Sequence, residues 1–205
     1  MTATPAAAPV GAPLSRYSVV AIVLHWAIAA LMFANIGIAW YFNSLPHALR
    51  SPPTQLHKSI GLTVLLLTLA RIGLRFIIPP PLLLDSLRGW EKLGARISHF
   101  VFYGLMLGLP LSGWAMVSAS PLTAVHPTVL YGVVPWPAFP YPGLGPDSVH
   151  DAGKAMALTH GLLAKLAYLT IAVHVLAALK HQFLDRDDVM ARMVPFLAPR
   201  RGAGA

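Results

Sequence analysis

An all-α membrane four-helix bundle is the fold class this sequence predicts, and three observations predict it. The 205 residues are 56% hydrophobic and only 11% charged, against about 25% charged in soluble domains. The mean hydropathy is +0.64. Four apolar stretches, 18–42, 57–78, 97–119 and 155–179, each reach the roughly 20 residues that one helical crossing of a bilayer needs. A single water-soluble core could not hide this much apolar surface, and a disordered chain would be far more polar. The runs are also too long and too evenly apolar for the alternating strands of a membrane barrel.

The first stretch, 18–42, contains no Asp, Glu, Lys or Arg. Its length and its end at Ala39-Trp40-Tyr41-Phe42 do not suit a cleaved signal peptide, which has a shorter apolar run and a small-residue cleavage site. The second, 57–78, opens on His57 and Lys58 and holds Arg71 and Arg75 near its far end. The third, 97–119, carries His99 two or three residues in; the fourth, 155–179, is interrupted by Lys165. Residues 1–14, rich in Ala and Pro, read as a flexible tail, residues 15–195 as one transmembrane domain, and residues 196–205 as a basic C-terminal tail. The longest connection, 120–154, holds Tyr131, Trp136, Phe139 and Tyr141 among prolines, a composition suited to a membrane interface. A plain interfacial loop is the preferred reading there, ahead of a lid.

Basic residues set the orientation. Arg16, then Arg71, Arg75, Arg88, Lys92 and Arg96, then Lys180, Arg186, Arg192, Arg200 and Arg201 would lie on one side; Arg50, Lys58 and Lys154 would lie on the other. The positive-inside rule places both termini in the cytoplasm. The formal charge of +8 is thereby assigned to topology, with no nucleic-acid partner expected.

The chain has no cysteine and nine histidines. Disulfides, iron–sulfur clusters and thiolate metal sites are excluded. His160 and His174 are fourteen residues apart on the fourth stretch, which leaves them within about 40° of each other on one helix face and about 21 Å apart along the axis. That is too far to share one metal ion, and it suits two large cofactors stacked across the membrane. With both termini inside, His25 shares the depth of His174, and His57 shares the depth of His160. Imidazole is a good neutral ligand for iron, and haem supplies the other four positions. Two pairs at two depths therefore point to two haems with two histidine ligands each, a closed coordination suited to shuttling electrons. Gly61, four residues past His57, would leave room for a porphyrin. Arg16, Arg71 and Arg75 on the inner side, and Lys58 and Arg50 on the outer, are candidate propionate partners. A proton relay would want acids within the spans, and no span holds Asp or Glu.

The stretches Arg16-Tyr17-Ser18, Leu24-His25-Trp26, Leu56-His57-Lys58-Ser59-Ile60-Gly61, Leu69-Ala70-Arg71-Ile72 and Leu109-Pro110-Leu111-Ser112-Gly113 resemble the bacterial di-haem cytochrome b561 family. That family belongs to a group that includes the cytochrome b subunits of hydrogenases and formate dehydrogenases. The strongest likeness runs from His160 through His174 to Lys180-His181 and Asp185-Arg186-Asp187. The resemblance implies four transmembrane helices in the bacterial inner membrane and two haems b, with axial ligands at His25, His57, His160 and His174. It also implies electron exchange with ubiquinone and, in one branch, oxidation of superoxide.

His99 is a candidate contact for a propionate or a quinone, and otherwise a packed interhelical donor. Arg71 would either snorkel or pair with such a group. His181, seven residues past His174, is the competing ligand, less favoured because it falls in the basic exit segment. Lys165 points away from both ligands of its helix. The leading function is transmembrane electron transfer, with superoxide:ubiquinone oxidoreduction as its specific form. A haem-bearing anchor for a separate dehydrogenase or reductase is the second reading, and a small transporter or proton relay the third.

Overall fold

The computed structural model describes residues 16–194, 196 and 197. The expected tail over 1–14 and most of the expected basic tail over 196–205 lie outside the described residues. Four long helices dominate: α1 (Val19–Ser44), α2 (Ser51–Ile77), α3 (Gly89–Ser118) and α4 (Pro146–Lys180). All four are long and apolar enough to cross a membrane.

Local chemistry sets their starts. The Ser18 hydroxyl caps α1 by accepting from the Ala21 N–H at 3.3 Å, which satisfies one of the donors a helix start leaves unpaired. Prolines occupy the first turns of α2 and α4, where a missing N–H costs nothing. At the start of α3 the Glu91 carboxylate accepts from the Arg88 N–H at 2.9 Å. The helices overrun the apolar stretches because polar residues extend a helix past the bilayer edge. As a result His57 does not open its helix; it is in the second turn of α2, and His99 is the eleventh residue of α3. The last residues of the expected 120–154 loop likewise form the first turns of α4.

Successive helices run antiparallel. Near one end, Arg71 of α2 reaches Ala21 of α1, and near the other, His57 of α2 reaches Asn35 of α1. Lys180 of α4 meets Glu91 of α3, while His160 meets Leu109. The apolar core is formed by α1, α2 and α3: Ile28, Ile60, Val64 and Met106 are buried there, with Leu31, Met32, Leu67 and Phe102 packed around them. Helix α4 stands differently. It lies closely along α3 and meets α1 and α2 through long side chains, His174 to His25, Tyr168 to Trp40 and His160 to His57.

Small residues make the α3–α4 approach possible, as is usual between membrane helices. A Cβ on Gly108 would lie 3.1 Å from Leu163 Cδ1, and one on Gly153 only 2.7 Å from Ala119 Cβ. Pro110 interrupts the hydrogen-bond ladder of α3. Near this break the Ser112 hydroxyl donates to the Gly108 and Leu109 carbonyls at 2.6 and 3.0 Å.

The α3–α4 connection holds the only strands among the described residues. Two short strands, β1 (Val129–Leu130) and β2 (Val134–Pro135), pair antiparallel. At the tip, Tyr131 and Gly132 have φ of 51° and 74°. A non-glycine residue rarely adopts this conformation. Tyr131 is held there by its N–H on Ser59 Oγ at 2.9 Å and by its hydroxyl, 2.7 Å from Thr63 Oγ1. Trp114 of α3 stacks edge-on with Trp136 and Phe139, and the Tyr141 hydroxyl donates to the Ala115 carbonyl at 2.7 Å. Burial raises the Tyr141 phenol above its usual range, which keeps it a donor. The connection is anchored to α2 and α3. Among the described residues it supplies none of the hydrogen bonds or ring contacts of His57 and His160.

Gly153→Ala forces its new methyl against a backbone-fixed Ala119. A loss of about 1–3 kcal/mol is expected, read as a lower Tm in detergent. Gly104→Ala, which meets nothing within 4 Å, is expected to leave the Tm unchanged or raise it.

Candidate functional site

Two histidine pairs lie at two levels of the bundle. His25 of α1 and His174 of α4 have ring centres 6.3 Å apart with planes at 64°. His57 of α2 and His160 of α4 have ring centres 6.3 Å apart with planes at 76°. A metal held by an imidazole nitrogen at about 2 Å lies about 3 Å from the ring centre. Two rings on opposite sides of one metal therefore have centres about 6 Å apart, and both pairs meet that spacing. The first pair is at the end of the bundle that holds both described chain ends, the second at the hairpin end.

The hairpin-end rings are oriented by backbone carbonyls. His57 Nδ1 is 3.2 Å from the Asn35 carbonyl, and His160 Nδ1 is 2.9 Å from the Leu109 carbonyl and 3.2 Å from Ser112 Oγ. A carbonyl only accepts, so each Nδ1 carries the proton and each Nε2 keeps its lone pair for a ligand. The Phe42 ring abuts His57 at 5.4 Å. Gly113 allows His160 its place: a Cβ there would lie 3.1 Å from His160 Cε1 and 3.3 Å from Nδ1. A Cβ on Gly61, the residue expected to make room for a porphyrin, would lie 3.7 Å from the Asn35 side-chain nitrogen, an ordinary contact.

The termini-end rings are held by aromatic edges, Trp26 on His25 at 5.3 Å and Phe102 on His174 at 5.2 Å. The Arg71 guanidinium donates to the Ala21 carbonyl at 2.7 Å, one turn before His25, and so satisfies its charge without leaving the bundle. Arg71 and His99 are close enough to His25 to act on it electrostatically, and His174, Arg75 and Arg71 act on His99 in the same way. Arg16 donates to the Leu197 carbonyl at 2.8 Å, and the Trp26 indole donates to the Met193 carbonyl at 2.9 Å. The C-terminal segment is thus strapped across the start of α1.

His181 is engaged elsewhere. Helix α4 ends in a wide turn over His181–Asp185, closed by Arg186 at φ 54°. His181 Nδ1 lies 2.7 Å from Asp187 Oδ2 and 3.1 Å from Asp185 Oδ2. Glu91, His181 and Asp185 bring three ligand-type atoms together. The Lys180 ammonium already lies on two of them, 2.8 Å from Glu91 and 2.5 Å from Asp185, so the cluster already holds a cation of its own. Lys165 is exposed on the outer face of α4. An open depression of 460 Å³ beside the start of α4, lined by Ser120, Pro121, Asp147 and His150 among others, involves none of the four paired histidines.

A family profile for prokaryotic cytochrome b561 matches residues 16–196. The chain belongs to that family. It is 30% identical over 185 residues to cytochrome b561 homolog 2 of Escherichia coli (strain K12), covering 87% of this chain and 91% of that one. It is 27% identical over 184 residues to a protein named probable superoxide oxidase CybB from Yersinia pestis, covering 88% and 96%. It is also 30% identical over 185 residues to cytochrome b562 of Cereibacter sphaeroides, covering 87% and 94%. The protein is accordingly a multi-pass electron-transfer cytochrome of the bacterial inner membrane, and its family carries haem b. The transporter reading is set aside. The ring spacing and the free Nε2 atoms fit such a group.

Sequence reading missed Asn35, Ser112 and Gly113 as supports of the hairpin-end pair. The contact to His57 uses the Asn35 main-chain carbonyl, which any residue type supplies, so no residue identity announced it. Gly113→Val places branched carbon atoms against the His160 ring. Haem content per chain is expected to fall in this variant, with helical circular dichroism retained.

Proposed function

We propose that the protein moves electrons across the membrane through two bis-histidine b haems, one held by His25 and His174, the other by His57 and His160. The observation that supports this most directly is the repeated 6.3 Å ring spacing with α4 contributing to both pairs. Bound haem b supplies reversible one-electron transfer. The residues do the rest. Asn35 and Leu109 carbonyls fix the hairpin-end rings, and Trp26 and Phe102 fix the others. With both termini in the cytoplasm by the positive-inside rule, the hairpin end faces outward.

The proposed reaction is superoxide:ubiquinone oxidoreduction. Two superoxide ions would each give one electron and leave as dioxygen; ubiquinone would take two electrons and two protons to become the quinol. The name of the Yersinia pestis relative supports this form. At the termini end Arg71 would pair with a propionate, His99 would offer a quinone a hydrogen bond, and Arg16 would add positive charge at that surface.

A pyridine-haemochrome assay on the purified chain is expected to give two haems b, and His→Ala at any of the four positions is expected to remove one. The steep ring-plane angles predict strongly anisotropic low-spin ferric signals in electron paramagnetic resonance. Stopped-flow mixing with superoxide is expected to reduce the oxidised protein faster than His57→Ala. Equal rates would sink the superoxide reading and leave electron transfer standing. A soluble redox protein that co-purifies would instead favour the anchor-subunit role.

A further inference from the structure

The two pairs share a ring spacing and differ in what surrounds it. At the hairpin end both rings donate through Nδ1 to a carbonyl, at 3.2 Å for His57 and 2.9 Å for His160. At the termini end neither His25 nor His174 makes a ring hydrogen bond to a described residue; aromatic edges hold them instead. An imidazole whose N–H is drawn toward a carbonyl is a richer electron donor at its other nitrogen, and a richer donor favours the oxidised metal.

Charge is distributed in the opposite way. Arg71 is fastened one turn from His25 through the Ala21 carbonyl at 2.7 Å. Arg75, one turn further along α2, lies 5.9 Å over the Tyr103 ring, next to Phe102, which touches His174. The Glu91 and Asp185 carboxylates at this end lie on the Lys180 ammonium, and Asp187 lies on His181. At the hairpin end Arg50 keeps its charge but is turned to the Leu45 and Asn43 carbonyls at 2.8 and 3.4 Å, and among the described residues no cation acts on His57 or His160 as Arg71 acts on His25. Lys154 is paired with Asp151, and Lys58 points about 100° around the helix from His57. A fixed cation near a redox centre favours the added electron, more so where water is scarce. Hydrogen bonding and charge therefore act in the same sense.

Resting on the di-haem reading above, we propose that the hairpin-end site has the lower reduction potential and the termini-end site the higher, with the carbonyls on His57 and His160 and the guanidinium of Arg71 setting the order. An electron that enters beside His57 and His160 then runs downhill to His25 and His174. One electron leaves the first site and arrives at the second; no bond is made or broken and no further reactant is needed.

Potentiometric titration of the purified full-length chain, followed optically and by electron paramagnetic resonance, tests this. Two components of unequal potential are expected. His57→Ala or His160→Ala should remove the lower one, and His25→Ala or His174→Ala the higher. Arg71→Gln keeps all four histidines, so it decides the matter where a ligand variant fails to fold. It should lower the higher potential and leave the lower one in place, with Arg71→Lys restoring most of the difference. Two haems whose upper component disappears with His57 or His160 would overturn the proposed order while the di-haem reading stands. So would an Arg71→Gln variant that moves the lower component or neither. Fewer than two haems per chain would overturn the reading beneath it, and the proposal with it.

Discussion

Helix α4 presents two imidazoles to the same side, four turns apart, and the rest of the bundle is arranged to meet each at its own depth. An antiparallel neighbour pair is what this requires: α1 contributes its histidine near its start and α2 near its own, so the two lie at opposite ends of the bundle. The apolar core then forms where it does not interfere, among α1, α2 and α3, and α4 is fastened to α3 alone at close range. Glycines permit that closeness. Gly113 is where packing and chemistry meet, since the residue that lets α4 approach also leaves the His160 ring its space.

The bilayer imposes a second demand, that polar groups find partners inside the protein. The structure meets it locally. Ser112 serves the carbonyls near Pro110 and also lies against His160, so repair of the helix break and orientation of a ring come from one hydroxyl. Arg71 turns to the Ala21 carbonyl and places its charge beside His25. The Lys180 cluster joins the beginning of α3 to the end of α4. In each case a group that would be costly alone in lipid has become a strut.

The four crossings were legible because length and hydropathy report directly on a bilayer, and the pairing of histidines was legible because α4 has a fixed 3.6-residue period. Helix ends were not. Apolarity marks where lipid stops, whereas Pro52, Pro53 and Pro146 mark where backbone can start a helix, so His57 and His99 fell deeper in their helices than their place in the apolar run implied. The small hairpin was hidden for a related reason. Tyr131 at positive φ is stabilised by Ser59 and Thr63, more than sixty residues away, and no local pattern announces such a partner. Nor could spacing show that Gly61 faces Asn35, because that depends on how α1 is rotated about its own axis.

The strap formed by the C-terminal segment has a topological meaning. Arg16 and Leu197 are 181 positions apart along the chain yet share a hydrogen bond, so the backbone is nearly a closed ring with four crossings. A covalent join between those ends would follow a path the molecule already takes. The chain could then be opened in the connection between α3 and α4, where no paired histidine is found, and the order of the helices rotated to α4, α1, α2, α3. In such a permutant the two partners of α4's histidines would follow it directly in synthesis. The present order makes them wait for the last helix.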